Sequence, residues 1–380
     1  MFKVMTIVGT RPELIKMSRV IAEFDEHTKH VLVHTGQNYD YELNQLFFDD
    51  LGIRKPDHFL EAVGDSAAQT IGRIIEKADD VLALEQPDAL LLYGDTNSCL
   101  AVIAAKRRKI PVFHFEAGNR CFDERVPEEL NRKVLDHLSD INFVLTEHAR
   151  RYLIAEGVRQ ETIIKSGSHM REVLDFYMPK IEKSEILTTL DLKPNSYFLV
   201  SAHREENIDS PENMLDMVAT FNALADEFKV PVVVSTHPRT KKRLDSMELG
   251  KLNSNIHFLK PFGFCDYIKL QLEALCVVSD SGTIAEEGSL LNLPAVTIRN
   301  AHERPEGMDV GTLIMTGLKS QHVLDAVRVI IAQHDKNNRI LPPVEDYEAG
   351  AVSKKILRVV MSYIPYVNRT VWHQGNQDLS

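Results

Sequence analysis

The sequence ALLLY at residues 89–93 passes directly into the polar turn GDTN at residues 94–97. Five successive non-polar positions predict a strand covered on both faces, because a strand with one solvated face alternates between apolar and polar residues. The run VPVVVS at residues 230–235 has the same character. Both stretches predict buried strands of parallel sheets, one in each half of the chain.

The same order of short apolar run, polar turn and helical pattern repeats along the chain. This alternation predicts an α/β fold with two doubly wound Rossmann-like domains. A length of 380 residues agrees with two domains, since single cores stop growing at about 250–300 residues. The predicted strands are residues 3–8, 30–34, 89–92, 112–115, 141–145 and 162–165, and then 197–201, 230–235, 255–258, 275–278 and 295–298.

The boundary between the domains is predicted near residue 170, where a helical pattern leads into a charged connector that ends at residue 194. We expect an N-terminal domain over residues 1–170 and a C-terminal domain over residues 171–363. The amphipathic stretch 351–363 is assigned to the second domain. The tail 364–380 is expected to pack back on the first.

Charge and cysteine usage restrict the possible partners. A net charge of −11 argues against a general binder of nucleic acid or anionic membranes, so an anionic ligand needs locally placed Arg, Lys or helix N-termini. The four cysteines show no CxxC spacing and are expected to be thiols in a reducing compartment. The apolar run 4–8 is too short for a signal peptide, and no run approaches the roughly 18 residues of a membrane helix. We therefore expect a cytoplasmic protein.

Several chemistries lack their motifs. No G-x-G occurs in the chain, so a tightly held NAD is not expected, and no G-x-x-x-x-G-K-[ST] is present for a P-loop. Neither D-x-D nor H-E-x-x-H spacing occurs, which argues against a metal site. The sequence therefore predicts chemistry without a cofactor or a metal.

Polar groups follow nearly every predicted strand, at the edge where parallel sheets bind ligands. Each has a structural explanation: Asp95 can cap a helix, Glu116 can be a solvated charge, and Glu128 suits a first helical turn. His203 can be a histidine whose ring makes only structural hydrogen bonds, and Ser281 can be a helix N-cap. The placement of all these groups directly after predicted strands favours a functional site. The segments are residues 9–13, 94–97, 116–118, 203–207, 237–239 and 280–283.

The functional interpretation divides these groups into two sets. Ser281, Gly282 and Thr283 between strand and helix predict a phosphate seat, and Glu287 further along that helix could accept hydrogen bonds from a ribose. A diphosphate needs cations, for which Arg11, Lys16 and Arg304 are candidates. Asp95, Glu116 and Glu128 form a predicted carboxylate cluster, in which like charges raise at least one pKa and suit proton transfer.

The ordered motifs resemble the non-hydrolysing UDP-N-acetylglucosamine 2-epimerases from about residue 4 to residue 317. The resemblance implies two Rossmann-like domains facing a central cleft, as in GT-B glycosyltransferases, with a C-terminal helix returning to domain one. It also implies a homodimer. The matching strings are VGTRPELIK, HTGQNYD, YGDTNS, HFEAGNR, VPEELNRK, SAHREEN, STHPRT, SDSGTIAEE and HERPEG.

The resemblance also implies a mechanism. A base removes the C2 proton of a UDP-linked 2-acetamido sugar as UDP departs, and UDP re-adds to the 2-acetamidoglycal after protonation of the opposite face. Asp95, Glu116 and Glu128 would handle protons, with His203 beside them at UDP. The residues implied around UDP are Arg11, Lys16, His237, Phe262, Tyr267, Ser281, Gly282, Thr283, Glu287 and Arg304, with Phe262 and Tyr267 at uracil.

One departure from the family pattern bears on the substrate. The segment GNRCFD at residues 118–123 looks like the subgroup that converts UDP-2-acetamido-2,6-dideoxy-L-talose to UDP-N-acetyl-L-fucosamine for capsule or O-antigen synthesis. The alternative in the same class is conversion of UDP-GlcNAc to UDP-ManNAc. A GT-B glycosyltransferase and a nucleotide-sugar-binding module without activity are further alternatives, because fold does not fix function.

Overall fold

The computed structural model describes residues 1–36, 48, 50–202, 204–208, 210–236, 238–245, 251–301 and 304–374. These residues form two compact units. The first contains Met1–Leu174 together with the described residues from Ala349 onward, and the second contains Asp175–Glu348. Each unit is built on one parallel sheet, so the predicted α/β class with two doubly wound Rossmann-like domains is confirmed.

The first sheet has the strand order β3-β2-β1-β4-β5-β6-β7. Every pair of neighbours in it is parallel. The order reverses between β1 and β4, which makes this edge the expected ligand site. Its strands are β1 (Lys3–Val8), β2 (Lys29–His34), β3 (His58–Phe59), β4 (Ala89–Tyr93), β5 (Val112–Phe115), β6 (Ile141–Val144) and β7 (Ile163–Lys165).

The second sheet has the order β10-β9-β8-β11-β12-β13, again with parallel neighbours. Counted from its own first strand, this order matches that of the first six strands of the first sheet, and it reverses between β8 and β11. The strands are β8 (Phe198–Ser201), β9 (Val232–Ser235), β10 (Ile256–Leu259), β11 (Cys276–Ser279), β12 (Ala295–Thr297) and β13 (Ile314–Met315).

The second sheet is covered on both faces, as its sequence predicts. Phe198 and Val200 of β8 belong to one apolar cluster, whereas Leu199 between them belongs to another. Successive side chains of a strand point to opposite faces, so the two clusters are the two sides of the sheet. Continuous apolar sequence is the consequence of this double burial.

Helices connect the strands. In the first unit, α1 begins at Arg11 with Pro12 in its first turn, where the missing N–H costs nothing. The helices are α1 (Arg11–His27), α2 (Ala67–Glu85), α3 (Val102–Arg107), α4 (Pro127–Leu138), α5 (Glu147–Ala155), α6 (Met170–Glu182), α7 (Ile186–Thr189), α8 (Glu205–Ile208), α9 (Pro211–Phe228), α10 (Pro238–Asp245), α11 (Phe264–Glu273), α12 (Ile284–Leu291), α13 (Glu306–Asp309), α14 (Ser320–Gln333) and α15 (Val352–Thr370).

All eleven predicted strands are present, with ends that differ by at most two residues. The sequence did not predict β3 and β13. Each has only two residues, too few to show a periodic pattern.

The assignment of residues 351–363 to the second domain is wrong. Helix α15 belongs to the first unit, packs on α1, and buries an apolar stripe that includes Ile356, Val360 and Ile364. Its start is held by Glu172, whose carboxylate accepts hydrogen bonds from the Ser353 N–H at 2.8 Å and from the Ser353 hydroxyl. The chain therefore rejoins the first unit at residue 349, not 364, and the units divide at residue 174, not 170.

Candidate active site

The site in the first unit is built on the loops that follow β1 and β4, where the strand order reverses. Gly9 is required there, because a Cβ at this position would lie 1.8 Å from Ser98 Oγ. The loop after β4 carries Asp95 and Thr96. Because β1 and β4 are paired, the two loops leave the sheet side by side.

Glu13 joins these two loops. Its Oε2 accepts a hydrogen bond from the Gly9 N–H at 2.6 Å, and its Oε1 accepts one from the Thr96 hydroxyl at 2.5 Å. The side chain is buried, and burial raises the pKa of Glu13 to about 7, although both hydrogen bonds act in the opposite direction. The carboxyl is therefore close to half-protonated near neutral pH, directly beside the turn that holds Asp95.

Glu116 follows β5 with φ of 62°, a left-handed conformation that is uncommon for a residue with a side chain. Its Oε2 accepts hydrogen bonds from Lys16 Nζ at 2.7 Å and from the Tyr93 hydroxyl. The side chains of Glu116 and Lys16 are only 10% and 3% exposed. A strained backbone and a buried ion pair together hold this carboxylate in one orientation.

Asp95 is held by helix α4. Arg132 Nε donates to Asp95 Oδ2 at 2.8 Å, and the Asn131 side-chain amide donates to the Asp95 carbonyl oxygen at 2.8 Å. The Asp95 side chain keeps 25% of its surface exposed, while that of Arg132 keeps only 3%. The carboxylate is thus fixed by a buried cation and remains accessible.

The segment 118–123 is connected to the same arginine through Glu129. The Cys121 and Phe122 N–H groups each donate to the Glu129 carboxylate at 3.1 Å, and Arg132 Nη1 donates to it at 2.8 Å. Burial by itself raises the pKa of Glu129, but these hydrogen bonds and the Arg132 charge hold it below its usual value. Glu128, the residue before it, is half-buried in the first turn of α4.

The arrangement differs in one respect from the predicted cluster of mutually repelling carboxylates. Asp95 and Glu116 follow the neighbouring strands β4 and β5, but each is paired with a buried cation. Lys16, predicted to neutralise a diphosphate, is the partner of Glu116. Arg11 lies half-buried in the first turn of α1. The catalytic roles of these residues stay predictions.

Sequence reasoning assigned no role to Tyr93 or Arg132, and it included Glu13 only as part of the segment 9–13, without a role of its own. The position of Glu13 in the first turn of α1 is sufficiently explained by the helix dipole. Tyr93 ends an apolar run, and Arg132 follows Glu128 and Glu129 at helical spacing. The spacing of Arg132 from Glu128 and Glu129 on its own helix could have indicated a contact with those carboxylates. Its pairing with Asp95, 37 residues away in the sequence, has no such local signal.

In the second unit, Asp280 joins the loops after β8 and β11. Its Oδ2 accepts hydrogen bonds from the Arg204 N–H at 2.9 Å and from the Asn207 side-chain amide at 3.0 Å. The Ser281 and Thr283 hydroxyls lie 3.0 Å apart, and α12 begins at the next residue, Ile284. This is the strand-to-helix turn that the sequence predicts as a phosphate seat.

A cavity opens at this turn. Two of its lining residues, Arg299 and Arg304, are buried arginines, and Arg304 Nη2 lies 3.6 Å from a Glu286 oxygen. A helix start and two guanidinium groups around one cavity suit an anionic group. The lining residues are Ser281, Gly282, Ile284, Ala285, Thr297, Arg299, Arg304, Met308 and Leu313.

Phe262 and Tyr267 pack against the apolar cluster on one face of the second sheet. Gln271 Nε2 donates to Glu287 Oε2 at 2.7 Å, and both side chains are buried. Burial and the nearby Glu287 charge raise the pKa of Tyr267, so its hydroxyl keeps its proton. The predicted uracil and ribose contacts are thus near one another. The predicted residues His203 and His237 lie outside the described residues.

Within the described ranges no group of three or more His, Cys, Asp or Glu side chains is arranged to hold a metal ion. No helix in the described part of the chain is long and apolar enough to cross a membrane. All four cysteines are thiols.

Comparison with known proteins identifies the family. A structure of UDP-N-acetylglucosamine 2-epimerase from Rickettsia bellii is 62% identical, with 98% of this chain and all of that chain covered and a TM-score of 0.93. The Methanocaldococcus jannaschii UDP-GlcNAc 2-epimerase in complex with UDP-GlcNAc and UDP is 30% identical, with 95% and 99% covered and a TM-score of 0.87. The Pseudomonas aeruginosa UDP-2,3-diacetamido-2,3-dideoxy-D-glucuronate 2-epimerase is 33% identical, with 93% and 98% covered.

The prediction of an isomerase is confirmed by these matches. The model of the family described as UDP-N-acetylglucosamine 2-epimerase matches residues 22–361, nearly the whole chain. The chain with that match has two sheets that share a strand order over six strands. Ion-paired carboxylates lie at the edge of the first sheet, and a turn lined by arginines lies at the edge of the second. This protein is a member of the UDP-N-acetylglucosamine 2-epimerase family.

Proposed function

We propose that the protein inverts C2 of a UDP-linked 2-acetamido sugar by eliminating UDP to a 2-acetamidoglycal and adding it back. The observation that carries this proposal is the placement of Asp95 and Glu116 after adjacent strands, each held by a buried cation. The C2 hydrogen is not adjacent to a carbonyl, so its removal needs the departure of a charge-stabilised UDP. Inversion requires proton transfer at both faces of C2, which calls for more than one acid–base group.

The two units would divide the work. Asp95, Glu116 and Glu128 would transfer protons, and His203 would be a further catalytic residue at UDP. The turn at Ser281, with Arg304 in the same cavity, would hold the diphosphate, because guanidinium groups and helix starts stabilise the negative charge of the leaving group.

We infer that the substrate is UDP-2-acetamido-2,6-dideoxy-L-talose and the product UDP-N-acetyl-L-fucosamine, used for capsule or O-antigen synthesis. The sequence GNRCFD at residues 118–123 supports this. The N–H groups of Cys121 and Phe122 bind Glu129, which shares Arg132 with Asp95. The segment that departs from the family pattern is therefore linked to a proposed acid–base residue, where contacts to the sugar matter most.

Conversion of UDP-GlcNAc to UDP-ManNAc is the second candidate. It is favoured by the names of the relatives from Rickettsia bellii and Methanocaldococcus jannaschii. The Pseudomonas aeruginosa relative acts on a different UDP-linked diacetamido sugar, so membership of the family is compatible with either substrate.

Incubation with each candidate sugar nucleotide in D2O, followed by NMR of the products, tests both proposals. We expect the L-talose compound to give its C2 epimer with deuterium at C2, and UDP-GlcNAc to react more slowly. Retention of the C2 proton during turnover would refute elimination and re-addition. A requirement for a sugar acceptor with unchanged C2 configuration would instead indicate a glycosyltransferase. Homodimer formation and a cytoplasmic location stay predictions.

A further inference from the structure

His114 of β5 is buried below the loops that carry Asp95 and Glu116. Its Nε2 lies 2.7 Å from the carbonyl oxygen of Gly94, and its Nδ1 lies 2.9 Å from Asp136 Oδ1. Both ring nitrogens therefore have an oxygen partner.

These partners determine the charge of the ring. A carbonyl oxygen can only accept, so Nε2 carries a proton. Asp136 also accepts hydrogen bonds from Arg120 Nη1 at 2.7 Å and from the Gly118 N–H at 3.2 Å, as a carboxylate does. Burial alone would raise the pKa of Asp136, but His114 and Arg120 outweigh it and hold that pKa below its usual value. The Nδ1 atom therefore donates to Asp136 and also carries a proton.

His114 is accordingly a buried imidazolium. Burial alone would lower the pKa of His114, but the hydrogen bond and charge of Asp136, the Gly94 carbonyl and the charge of Asp95 raise it above its usual value. The nearby charges balance: Asp136 faces the ring and Arg120, and Arg120 is also paired with Glu156.

This group of side chains binds the backbone of both turns. Gly94 precedes Asp95, and Gly118 follows Glu116 by two residues. Gly118 has φ of 81°, and a Cβ there would lie 2.5 Å from the Ala149 carbonyl oxygen, so the turn has little room to move. His114 holds one turn directly, and Asp136 holds the other.

We propose that His114, as an imidazolium bound to Asp136, is a positioning residue that fixes the turns of Asp95 and Glu116 relative to each other. It acts through the Gly94 carbonyl and through Asp136. The catalytic part of this inference rests on the proposed function, since it assumes that the two carboxylates transfer protons. Misplacing such groups by about 1 Å can lower a rate by roughly 100-fold.

The first test is the protonation of His114 in the full-length protein. Nitrogen-15 NMR of the histidine rings, with the His114 signals assigned by their loss in His114→Gln, should show both ring nitrogens protonated at pH 8. An exposed histidine with a pKa of about 6.5 is neutral there. A neutral His114 ring at pH 8 would overturn the proposal.

The second test separates positioning from stability. Asp136→Asn and His114→Gln should lower kcat by roughly 10- to 100-fold, with the Kd for UDP within about threefold of wild type. Asp140→Asn is the matched control. This buried carboxylate accepts hydrogen bonds from Lys106 Nζ at 2.6 Å and from the Val112 N–H at 2.9 Å, at the opposite end of β5.

We expect Asp140→Asn to lower the melting temperature and to change kcat by less than about threefold. Equal losses of kcat in Asp136→Asn and Asp140→Asn would mean a general structural role and would overturn the proposal. If the Asp136 and His114 variants do not fold, the NMR measurement on the wild type decides. A wild type that epimerises neither sugar nucleotide would refute the proposed function, and the protonation of His114 could still be measured.

Discussion

The two sheets share one strand order over six strands, and their carboxyl ends carry different side chains. In the first unit, the loops where the order reverses carry carboxylates paired with buried cations, as in Glu116 with Lys16 and Asp95 with Arg132. In the second unit, the corresponding turn carries the hydroxyls of Ser281 and Thr283 and opens on a cavity lined by arginines. The same backbone plan thus supports one site suited to proton transfer and one suited to an anion.

The difference shows that topology chooses where a site lies, while the residues after each strand choose its chemistry. It also makes the comparison testable. Substitutions in the first unit should lower kcat, and substitutions at the turn of the second unit should weaken UDP binding.

The largest expected effect is that of Glu116→Gln. The amide keeps the shape of the side chain but cannot take part in the proposed proton transfer, so kcat should fall by roughly 100-fold or more. The Kd for UDP, measured by calorimetry, should stay within about threefold of wild type. Glu161→Gln, at an exposed carboxylate of the same unit, serves as the control and should leave both constants unchanged. A loss of UDP affinity equal to the loss of kcat would contradict the assignment of proton transfer to the first unit and UDP binding to the second.

The second effect compares two buried carboxyls within the first unit. Glu13 has neutral donors, Gly9 N–H and the Thr96 hydroxyl, and its pKa is raised to about 7, whereas Asp136 has cationic partners and a lowered pKa. Folded Glu13 binds more protons than the unfolded chain between pH 4.5 and about 7, so its contribution to stability decreases as the pH rises through that range. A shift of this size corresponds to on the order of 3 kcal/mol.

The amide of the variant Glu13→Gln does not gain or lose a proton in this pH range. Relative to wild type, its free energy of unfolding in urea should increase between pH 5 and pH 8, by up to the order of 3 kcal/mol. The matched variant Asp136→Asn should lose stability throughout this range, because a paired carboxylate stabilises the fold above its unfolded pKa. Parallel pH curves for wild type and Glu13→Gln would refute the role assigned to burial at Glu13.

The smallest effect is expected from Arg304→Gln. Loss of a charge-assisted hydrogen bond to phosphate should weaken UDP binding by roughly 10-fold, with a smaller change in kcat. Arg328→Gln is the control, because Arg328 is an exposed arginine of the same unit that pairs with Glu227. An unchanged Kd for UDP in Arg304→Gln would show that this arginine is not part of the anion site.

The sequence by itself determined the local features of this protein. Short apolar runs such as residues 89–93, each followed by a polar turn and a helical pattern, predict strands buried on both faces, so the fold class and eleven strands could be predicted. The motif at residues 280–283 also has a local cause, since a turn of small residues before a helix exposes N–H groups.

The tertiary structure alone decided which of these groups meet. Lys16 lies 100 residues from Glu116, and Glu13 lies 83 residues from Thr96, so no local pattern predicts either contact. The return of the chain to the first unit at residue 349 depends on the surface of α1 that α15 covers. Pairing and burial set the charge of Glu13, His114 and Asp136, because the pKa of a buried group depends on the donors and acceptors that the fold places around it.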